Sequence, residues 1–428
     1  MLLTIKNGEF NTKPVLKALI GDEIVIKMID LPGNAEIKLH IQRKDDKNQL
    51  WYSHASYYSN QDGIVNTAKS SPVSGKYEGV DPTGLFWSMD LIHEQEKLPD
   101  DLTKINDNSG IFLYFDVEIN GEITARETVE VLKTLPTIQY EEIREKDMTA
   151  NFYCPSHKTN LPAVIVVTGS EGGISTPDMV SGVLASHGYA ALALAYFDMP
   201  GLSPILEEIP LEYVEKAIEW LSNHKAVDSK RLAMIGTSKG AELTLLSASI
   251  FPKIKTVIAA SPSHVVFQSS NPKEDAQPRS SWTYKGKALP YVPFIVTENF
   301  YKQFESGFPE HLEYLPLYED SLVDKDAIQK ALINVEKIKG PILLISGSDD
   351  RVWPSTKMAE KVMDRLESFK FPHPYRHLNY EGAGHVVARP GYMPWPTPYY
   401  VKGGLPAING QSQTDVWNNI LEFLKNYL

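Results

Sequence analysis

The stretch Leu232-Ala-Met-Ile-Gly-Thr-Ser-Lys-Gly-Ala-Glu242 places a Gly-x-Ser-x-Gly motif directly after a short apolar run. The run has the pattern of a strand buried on both faces, and a helical pattern begins at Lys239. A sharp turn between strand and helix would strain the backbone at Ser238 and leave no room for side chains at the flanking glycines. We therefore expect the Ser238 hydroxyl to stand above the edge of a sheet, where it can act as a nucleophile.

Similar apolar runs lie on both sides of this motif between residues 136 and 428, and helical patterns separate them. Strands that alternate with helices indicate βαβ units and a mostly parallel sheet flanked by helices. The apolar runs are Ala163–Thr168, Ala190–Tyr196 and Ile342–Ser346, and the helical stretches are Leu211–Asn223, Lys239–Phe251, Ala327–Ile338, Ser355–Phe371 and Asp415–Leu428. With the serine motif, this alternation predicts an α/β class protein of the α/β-hydrolase fold.

In that fold the acid and the histidine follow the nucleophile along the chain and emerge from loops after later strands. Asp349 and Asp350 stand just past the last apolar run, and His385 follows a further predicted strand, Tyr375–Tyr380. We predict Ser238 as the nucleophile, His385 as general base and then acid, and Asp350 as the carboxylate that orients the imidazole. Asp349 is the alternative acid. Asp350 is favoured because it stands three residues after a glycine and shortly before a Val-Trp-Pro sequence.

Two backbone amides are needed to stabilise the oxyanion of acyl transfer. The first is expected from Lys239, which follows the nucleophile at the positive end of a helix. The second should come from the loop after the run that ends at Thr168, which reads Gly169-Ser-Glu-Gly-Gly173. Gly172 and Gly173 are the candidates, because a glycine backbone can approach a ligand closely.

The first 135 residues have a different pattern, in which apolar residues recur at every second position between turn-forming residues. Asn120-Gly121 is a strong hairpin signal within this region. Several short strands with few helical patterns predict a β-sandwich. We therefore divide the chain into an all-β domain over residues 1–135 and an α/β domain over residues 136–428, with a lid-like insertion at about 261–325 that fits neither period.

The composition excludes several classes of function. The 428 residues carry a net charge of −12, which would repel a nucleic-acid backbone, so no nucleic-acid partner is expected. The first residues lack the pattern of a signal peptide, and no apolar run approaches a membrane span, so we expect no membrane partner. The only cysteine, Cys154, suits a reducing compartment and is expected to be structural. These features predict a soluble protein of the cytoplasm.

No cofactor and no metal are expected from the motifs. The sequence contains neither a dinucleotide-binding glycine pattern nor a phosphate-binding loop. His373 and His377 have a ligand-like spacing, but the prolines around them argue against the helix that a zinc site would need. The oligomeric state is not indicated.

With these residues placed, the chain resembles the acyl-CoA thioesterase and bile-acid-CoA:amino-acid N-acyltransferase family over nearly its whole length. The residues that carry the resemblance are Ser74-Gly-Lys-Tyr-Glu-Gly-Val-Asp-Pro-Thr-Gly-Leu-Phe-Trp-Ser-Met89, Ala193–Tyr196, Gly236–Glu242, Asp349-Asp350 with Trp353, Gly384-His385, and Gly403-Gly404 with Trp417. The resemblance implies an immunoglobulin-like N-terminal domain and an acyl-CoA substrate. It also implies cleavage of the thioester to free acid and CoA through an acyl intermediate on Ser238.

The motifs also fit functions besides thioester hydrolysis. The N-acyltransferases of that family carry Cys at the position of Ser238, so the serine favours hydrolysis over amide formation. A generic carboxylesterase or amidase would carry the same three residues, and a non-catalytic binding protein could retain them on an inherited hydrolase scaffold. A bound CoA would need a local basic patch, for which Lys239, Lys285 and Lys287 are candidates.

Overall fold

The computed structural model describes residues 1–11, 13–14, 16–45, 48–92, 111–145, 148–269, 277–305, 313–391 and 402–428. The chain divides into two compact units. The first unit comprises Met1–Leu135, Pro390–Pro396 and Pro406–Thr414. The second unit comprises Pro136–Arg389, Thr397–Leu405 and Asp415–Leu428.

The first unit consists mainly of strands. They are β1 (Leu2–Lys6), β2 (Leu16–Leu19), β3 (Val25–Ile29), β4 (Glu36–Lys44), β5 (Leu50–Tyr58), β6 (Val65–Asn66), β7 (Ser74–Gly75), β8 (Asp90–Leu91), β9 (Ile111–Ile119) and β10 (Glu122–Leu132), with a short helix, α1 (Gly84–Trp87). Strands β1, β3 and β6 form one sheet. The others form a second sheet in the order β2-β10-β9-β4-β5-β7, with β8 also paired to β5.

The two sheets of the first unit share one apolar core. Met28 of β3, in the smaller sheet, lies in the same buried cluster as Leu39 of β4 and Phe115 of β9, in the larger sheet. This is a two-layer β-sandwich, as the period-two pattern predicts. The predicted hairpin joins β9 to β10, with Asn120 at φ 54° and Gly121 at φ 84°.

The second unit contains a mostly parallel sheet with helices. Its strands are β11 (Ile138–Glu145), β12 (Met148–Pro155), β13 (Leu161–Val167), β14 (Ala190–Ala195), β15 (Ile209–Pro210), β16 (Val227–Thr237), β17 (Ile254–Ala260), β18 (Trp282–Tyr284), β19 (Lys287–Ala288), β20 (Ile342–Gly347) and β21 (Tyr375–Tyr380). Its helices are α2 (Ser175–Ser186), α3 (Glu212–Asn223), α4 (Lys239–Ile250), α5 (Glu298–Glu305), α6 (Leu315–Ser321), α7 (Lys325–Ala331) and α8 (Ser355–Ser368), with a 3₁₀ turn at Val335–Lys337. A last helix, α9 (Pro406–Tyr427), has its first residues in the first unit.

The main sheet has the order β11-β12-β14-β13-β16-β17-β20-β21. Strands β11 and β12 are antiparallel to their neighbours, and the pairs from β14 to β21 are parallel. This arrangement is the α/β-hydrolase fold, as predicted. The carboxyl ends of the parallel strands lie at one edge of the sheet, so the loops that follow them converge there.

The structure differs from the sequence prediction at five helices of residues 136–428. Helices α5 and α6, within the insertion, are not predicted. Helix α2 is not predicted by the apolar pattern, and α9 begins at Pro406, well before the predicted start at Asp415. The predicted helix Ala327–Ile338 is wrong after Ala331, because the amide of Ile333 donates to the carbonyl of His264 (3.0 Å) instead of continuing the helix.

The insertion at about 261–325 is described except for residues 270–276 and 306–312, which lie outside the described residues. Val265, Phe267 and Val292 of this segment form an apolar cluster with Trp353 and Met358. The described part therefore packs beside the loop after β20, and its role as a lid stays a prediction. None of the helices in the described ranges combines the length with the apolar character that a bilayer span requires. The cytoplasmic location also stays a prediction.

Candidate active site

Ser238 occupies the turn between β16 and α4, with φ 58° and ψ −125°. This strained conformation requires small neighbours. A Cβ on Gly236 would lie 2.2 Å from the carbonyl oxygen of Gly240, and a Cβ on Gly240 would lie 2.1 Å from that of Thr168. The backbone N–H of Ser238 donates to the carbonyl of Ala260 at 2.9 Å. The structure therefore has the sharp turn that the glycine spacing predicts.

An aspartate and a histidine meet at the same edge of the sheet. The Nδ1 of His385 donates to Oδ2 of Asp350 at 2.8 Å, and both side chains are buried. Asp350 is itself held in place. Its Oδ1 accepts from the amides of Val352 (2.9 Å) and Trp353 (3.2 Å), and its Oδ2 also accepts from the Ser355 hydroxyl (2.6 Å). Asp350 is therefore a fixed carboxylate against one nitrogen of the imidazole.

The alternative acid, Asp349, has different partners. Its Oδ2 accepts from the amide of Gly404 at 2.8 Å, and its Oδ1 accepts from Nε of Arg351 at 3.3 Å. Of these two adjacent carboxylates, Asp350 is the one bonded to the imidazole of His385.

The backbone of His385 is fixed at both its donor and its acceptor. Its N–H donates to the carbonyl of Lys402 (2.8 Å), and its carbonyl accepts from the hydroxyl of Ser261 (2.7 Å). The ring of Trp353 meets the imidazole edge to face, with the centroids 6.0 Å apart. The histidine therefore lies in a buried, largely preset position.

Ser238 and His385 are each hydrogen-bonded to one of two consecutive residues, Ala260 and Ser261, at the end of β17. The amide of Ser238 bonds to Ala260, and the hydroxyl of Ser261 bonds to His385. No hydrogen bond joins the Ser238 hydroxyl to the imidazole, although both residues belong to the described chain. Such catalytic bonds are often long before a substrate is bound.

The amides predicted to form the oxyanion hole differ in their availability. The backbone N–H of Lys239, in the first turn of α4, donates to no acceptor in the described part of the chain. Gly172 donates to the carbonyl of Gly169 (3.4 Å), and Gly173 donates to that of Phe197 (3.2 Å). In this arrangement neither glycine amide is free to bind an oxyanion.

The remaining amides of this loop offer a replacement donor. A Cβ on Gly169 would lie 3.0 Å from Cβ of Ser238, so this part of the loop adjoins Ser238. The amides of Gly169, Ser170 and Glu171 donate to no acceptor within the described ranges. The pattern of glycines alone could not distinguish these amides from the two that are bonded internally.

The side chain of Lys239 is buried and paired beneath the serine turn. Its Nζ lies 2.7 Å from Oε1 of Glu242, and the same oxygen accepts from Nε1 of Trp282 at 2.7 Å. The other carboxylate oxygen of Glu242 accepts from the amide of Phe267 at 3.4 Å. Burial raises the pKa of Glu242 and lowers the pKa of Lys239, while their contact opposes both shifts. Lys239 is thus committed to an internal ion pair and does not face a substrate phosphate.

The two further lysines predicted to contact CoA lie in the insertion. The ammonium of Lys285 lies 5.2 Å from the centroid of the Tyr284 ring, and Lys287 is exposed on β19. Both therefore remain candidates for phosphate contact.

Two residues near the site are not predicted by the motifs, Ser261 and Ser355. Ser261 has φ 46° and supports His385, while Ser355 begins α8 and supports Asp350. A serine just past a strand or at a helix start is the only sequence signal, and many surface serines share it.

Cys154 is buried in β12, where burial raises the pKa of its thiol, so it is poorly suited to act as a nucleophile.

Comparison with known families gives two matches that together span most of the chain. Residues 21–145 match the model described as acyl-CoA thioester hydrolase/BAAT N-terminal region. Residues 209–428 match the model described as BAAT/acyl-CoA thioester hydrolase C terminal. The second match contains Ser238, Asp350 and His385.

Relatives that match this chain over nearly its whole length include two kinds of enzyme. Acyl-coenzyme A thioesterase 6 of Mus musculus is 27% identical over 442 residues, covering 98% of this chain and 96% of the relative. Bile acid-CoA:amino acid N-acyltransferase of Mus musculus is 27% identical over 440 residues, covering 96% of each. Among solved structures, an esterase of Pyrobaculum calidifontis is 17% identical with a TM-score of 0.41, covering 68% of this chain and 86% of the esterase.

Proposed function

Because the chain belongs to the BAAT/acyl-CoA thioester hydrolase family, we propose that it is a serine thioesterase that cleaves acyl-CoA to the free acid and CoA. The observation that carries the proposal is the buried Asp350–His385 pair, which is linked through two consecutive residues of the chain to a serine in a strained turn. These are the parts that a serine hydrolase needs for nucleophilic catalysis.

In the first half-reaction Ser238 Oγ attacks the carbonyl carbon of the thioester, and Nε2 of His385 takes the hydroxyl proton. Asp350 stabilises the imidazolium that forms, because its carboxylate already bonds to Nδ1. The amide of Lys239 donates to the oxyanion of the tetrahedral intermediate. Collapse of the intermediate breaks the C–S bond, and the CoA sulfur leaves with the proton from His385.

In the second half-reaction water replaces CoA as the nucleophile. His385 takes a proton from water as it attacks the acyl ester on Ser238. Collapse of the second tetrahedral intermediate breaks the C–O bond to Ser238, and Oγ leaves with the proton that His385 took from water, which releases the free acid and restores the Ser238 hydroxyl. Because the imidazole is buried and its backbone is bonded at both ends, the same histidine is in place for both steps.

The second candidate function is transfer of the acyl group to an amino acid. It is favoured by the likeness to bile acid-CoA:amino acid N-acyltransferase of Mus musculus. Ser238 argues against it, since an acyl ester is less reactive towards amines than an acyl thioester on cysteine. We therefore place water before an amine as the acceptor.

The test uses the purified full chain with a panel of acyl-CoAs of different length, with and without glycine or taurine. Release of free thiol and formation of amide are followed together. We expect thiol release with equal amounts of free acid and no amide. Amide formation that matches thiol release would instead identify an N-acyltransferase.

Two serine variants test the nucleophile. Ser238→Ala should lose thiol release and labelling by a fluorophosphonate probe by about 10³-fold or more, because no oxygen remains to form the acyl intermediate. Ser249→Ala, at the far end of the same helix, is the matched control and should behave as wild type. Full activity in Ser238→Ala would remove the proposed mechanism.

A further inference from the structure

A short segment of the second unit, Lys402–Gly404, lies between Asp349 and His385, and we call it the strap. Asp349 accepts from the amide of Gly404 at 2.8 Å. At the other end of the strap, the carbonyl of Lys402 accepts from the amide of His385 at 2.8 Å. One carboxylate is therefore linked to the histidine backbone through three residues of chain.

The strap is packed so closely that its position leaves little freedom. Gly403 has φ 80°, and a Cβ there would lie 1.6 Å from the carbonyl oxygen of Asp349. A Cβ on Gly384 would lie 2.0 Å from the carbonyl oxygen of Gly403. The amide of Asp349 also donates to the carbonyl of Ala383 at 2.9 Å, two residues before His385. The backbone of the strap is therefore in close contact with the backbone of Asp349 and of residues 383–385. A shift of the strap must move the loop that carries His385.

We propose that Asp349 is a positioning residue, which holds the strap and through it keeps His385 in line with Asp350. Asp349 makes no hydrogen bond to the imidazole, and its two carboxylate oxygens accept from Gly404 and Arg351 instead. Its role is to fix the strap by accepting the hydrogen bond from Gly404. This inference rests on the proposed function in one respect only, which is that an acyl-CoA is the substrate used to measure kcat and KM.

The hydrogen bond and the negative charge of Asp349 can be separated by substitution. Asp349→Asn keeps an oxygen that can accept from Gly404, whereas Asp349→Ala keeps neither oxygen nor charge. Arg351→Ala is the matched control, because it removes the partner of Oδ1 (3.3 Å) and leaves the bond to Gly404 in place.

We expect Asp349→Ala to lower kcat for acyl-CoA by about 10- to 100-fold with KM changed by less than about threefold, since a small misplacement of a catalytic group lowers the rate and not substrate binding. Asp349→Asn and Arg351→Ala should stay within about threefold of wild type. All rates are divided by the concentration of active sites, so a variant that merely unfolds more easily shows normal turnover per site.

The same variants are compared in the rate of labelling by a fluorophosphonate, which needs Ser238 and His385 but no CoA ester. Slow labelling of Asp349→Ala with rescue by Asn supports the inference. Equal rates for Ala and wild type, or an Asn variant as slow as Ala, would overturn it. If wild type is labelled but releases no thiol from any acyl-CoA, the proposed function fails while the labelling rates still decide the role of Asp349.

Discussion

Asp349 and Asp350 are neighbours in the chain, and their carboxylates point to different partners. The carboxylate of Asp350 accepts hydrogen bonds from two backbone amides, from the Ser355 hydroxyl and from the imidazole of His385. A buried carboxylate with this many donors is held in one position. Two acidic residues of the same type can thus be told apart by their partners alone.

This difference predicts the outcome of replacing each carboxylate by its amide. Asp350→Asn should lower kcat by about 10³- to 10⁴-fold, because the amide stabilises the imidazolium poorly and can favour the wrong tautomer. Asp349→Asn should stay near wild type. The measurement is thiol release from one good acyl-CoA substrate at pH 7 to 8, with both proteins checked for unchanged melting temperature. Equal activity of the two variants would contradict the assignment of Asp350.

Ser238, Asp350 and His385 can be predicted from the sequence because each follows a recognisable strand in a fixed order. The available amides of the Gly169–Gly173 loop cannot be predicted in this way. Gly172 and Gly173 are bonded to Gly169 and Phe197, and the contact with Phe197 is a distant one in sequence. The order of residues along a chain locates a loop, and only folding decides where each amide of the loop is directed.

The buried pair of Lys239 and Glu242 gives a prediction about pH. In Lys239→Met the carboxylate of Glu242 loses its charged partner, and its pKa, already raised by burial, should rise further. A carboxyl with a folded pKa above its unfolded value stabilises the fold below about pH 4.5, and this stability is lost as the pH rises. We expect Lys239→Met to be less stable than wild type by about 3–5 kcal/mol near pH 8, and by less near pH 5.

Melting temperatures at pH 5 and pH 8 check this prediction. The double variant Lys239→Met/Glu242→Gln removes the titrating carboxyl, so its stability relative to wild type should not fall between pH 5 and pH 8 in the same way. A single variant with the same relative stability at both pH values would show that Glu242 is not the titrating group.

At the level of elements, the spacing of apolar residues predicts most of the regular strands and helices. The exceptions are explained by contacts that form only in the folded protein. Helix α2 contains serine, threonine, glycine and proline, so its own propensity is weak, and the six consecutive residues 180–185 within it are all buried. Helix α9 begins early at Pro406, and a Cβ on Gly410 would lie 2.6 Å from Cβ of Trp87. That glycine weakens the helical pattern in the sequence, and close approach to Trp87 explains its presence.

The turn between β16 and α4 gives a prediction at the same scale. Gly236→Ala would place a Cβ 2.2 Å from the carbonyl oxygen of Gly240, so the backbone around Ser238 must shift. We expect kcat and fluorophosphonate labelling to fall by about 100-fold or more, together with the melting temperature. Labelling is measured per folded protein, so that loss of fold is not counted twice.

Gly121→Ala is the control for a general effect of losing a glycine. Gly121 has φ 84° in the β9–β10 hairpin, and nothing lies within 4 Å of the added Cβ. The cost should be about 1–2 kcal/mol of stability from backbone strain alone, with normal labelling. Normal labelling in Gly236→Ala as well would mean that the turn tolerates a side chain, against the distances.

At the scale of the whole molecule, the net charge of −12 opposes a polyanionic substrate such as CoA. Lys239 does not offset this charge locally, because its ammonium is paired with Glu242 inside the protein. Lys285 and Lys287 remain the candidates for a local attraction, and the balance between such an attraction and the overall field would decide how salt affects binding. Net charge can be counted from the sequence, whereas the freedom of a given lysine to face a substrate depends on its folded partners.

The salt dependence of kcat/KM therefore distinguishes repulsion by the overall negative charge from attraction by a local basic patch. If the overall charge dominates, kcat/KM for an acyl-CoA should rise about two- to fivefold as the ionic strength increases from about 0.01 to 0.15 M, because screening weakens the repulsion. A neutral N-acetylcysteamine thioester of the same acid should show no such rise. A fall of kcat/KM with salt for the CoA ester alone would mean that a basic patch binds CoA. Lys285→Ala and Lys287→Ala would then identify the patch by abolishing that fall.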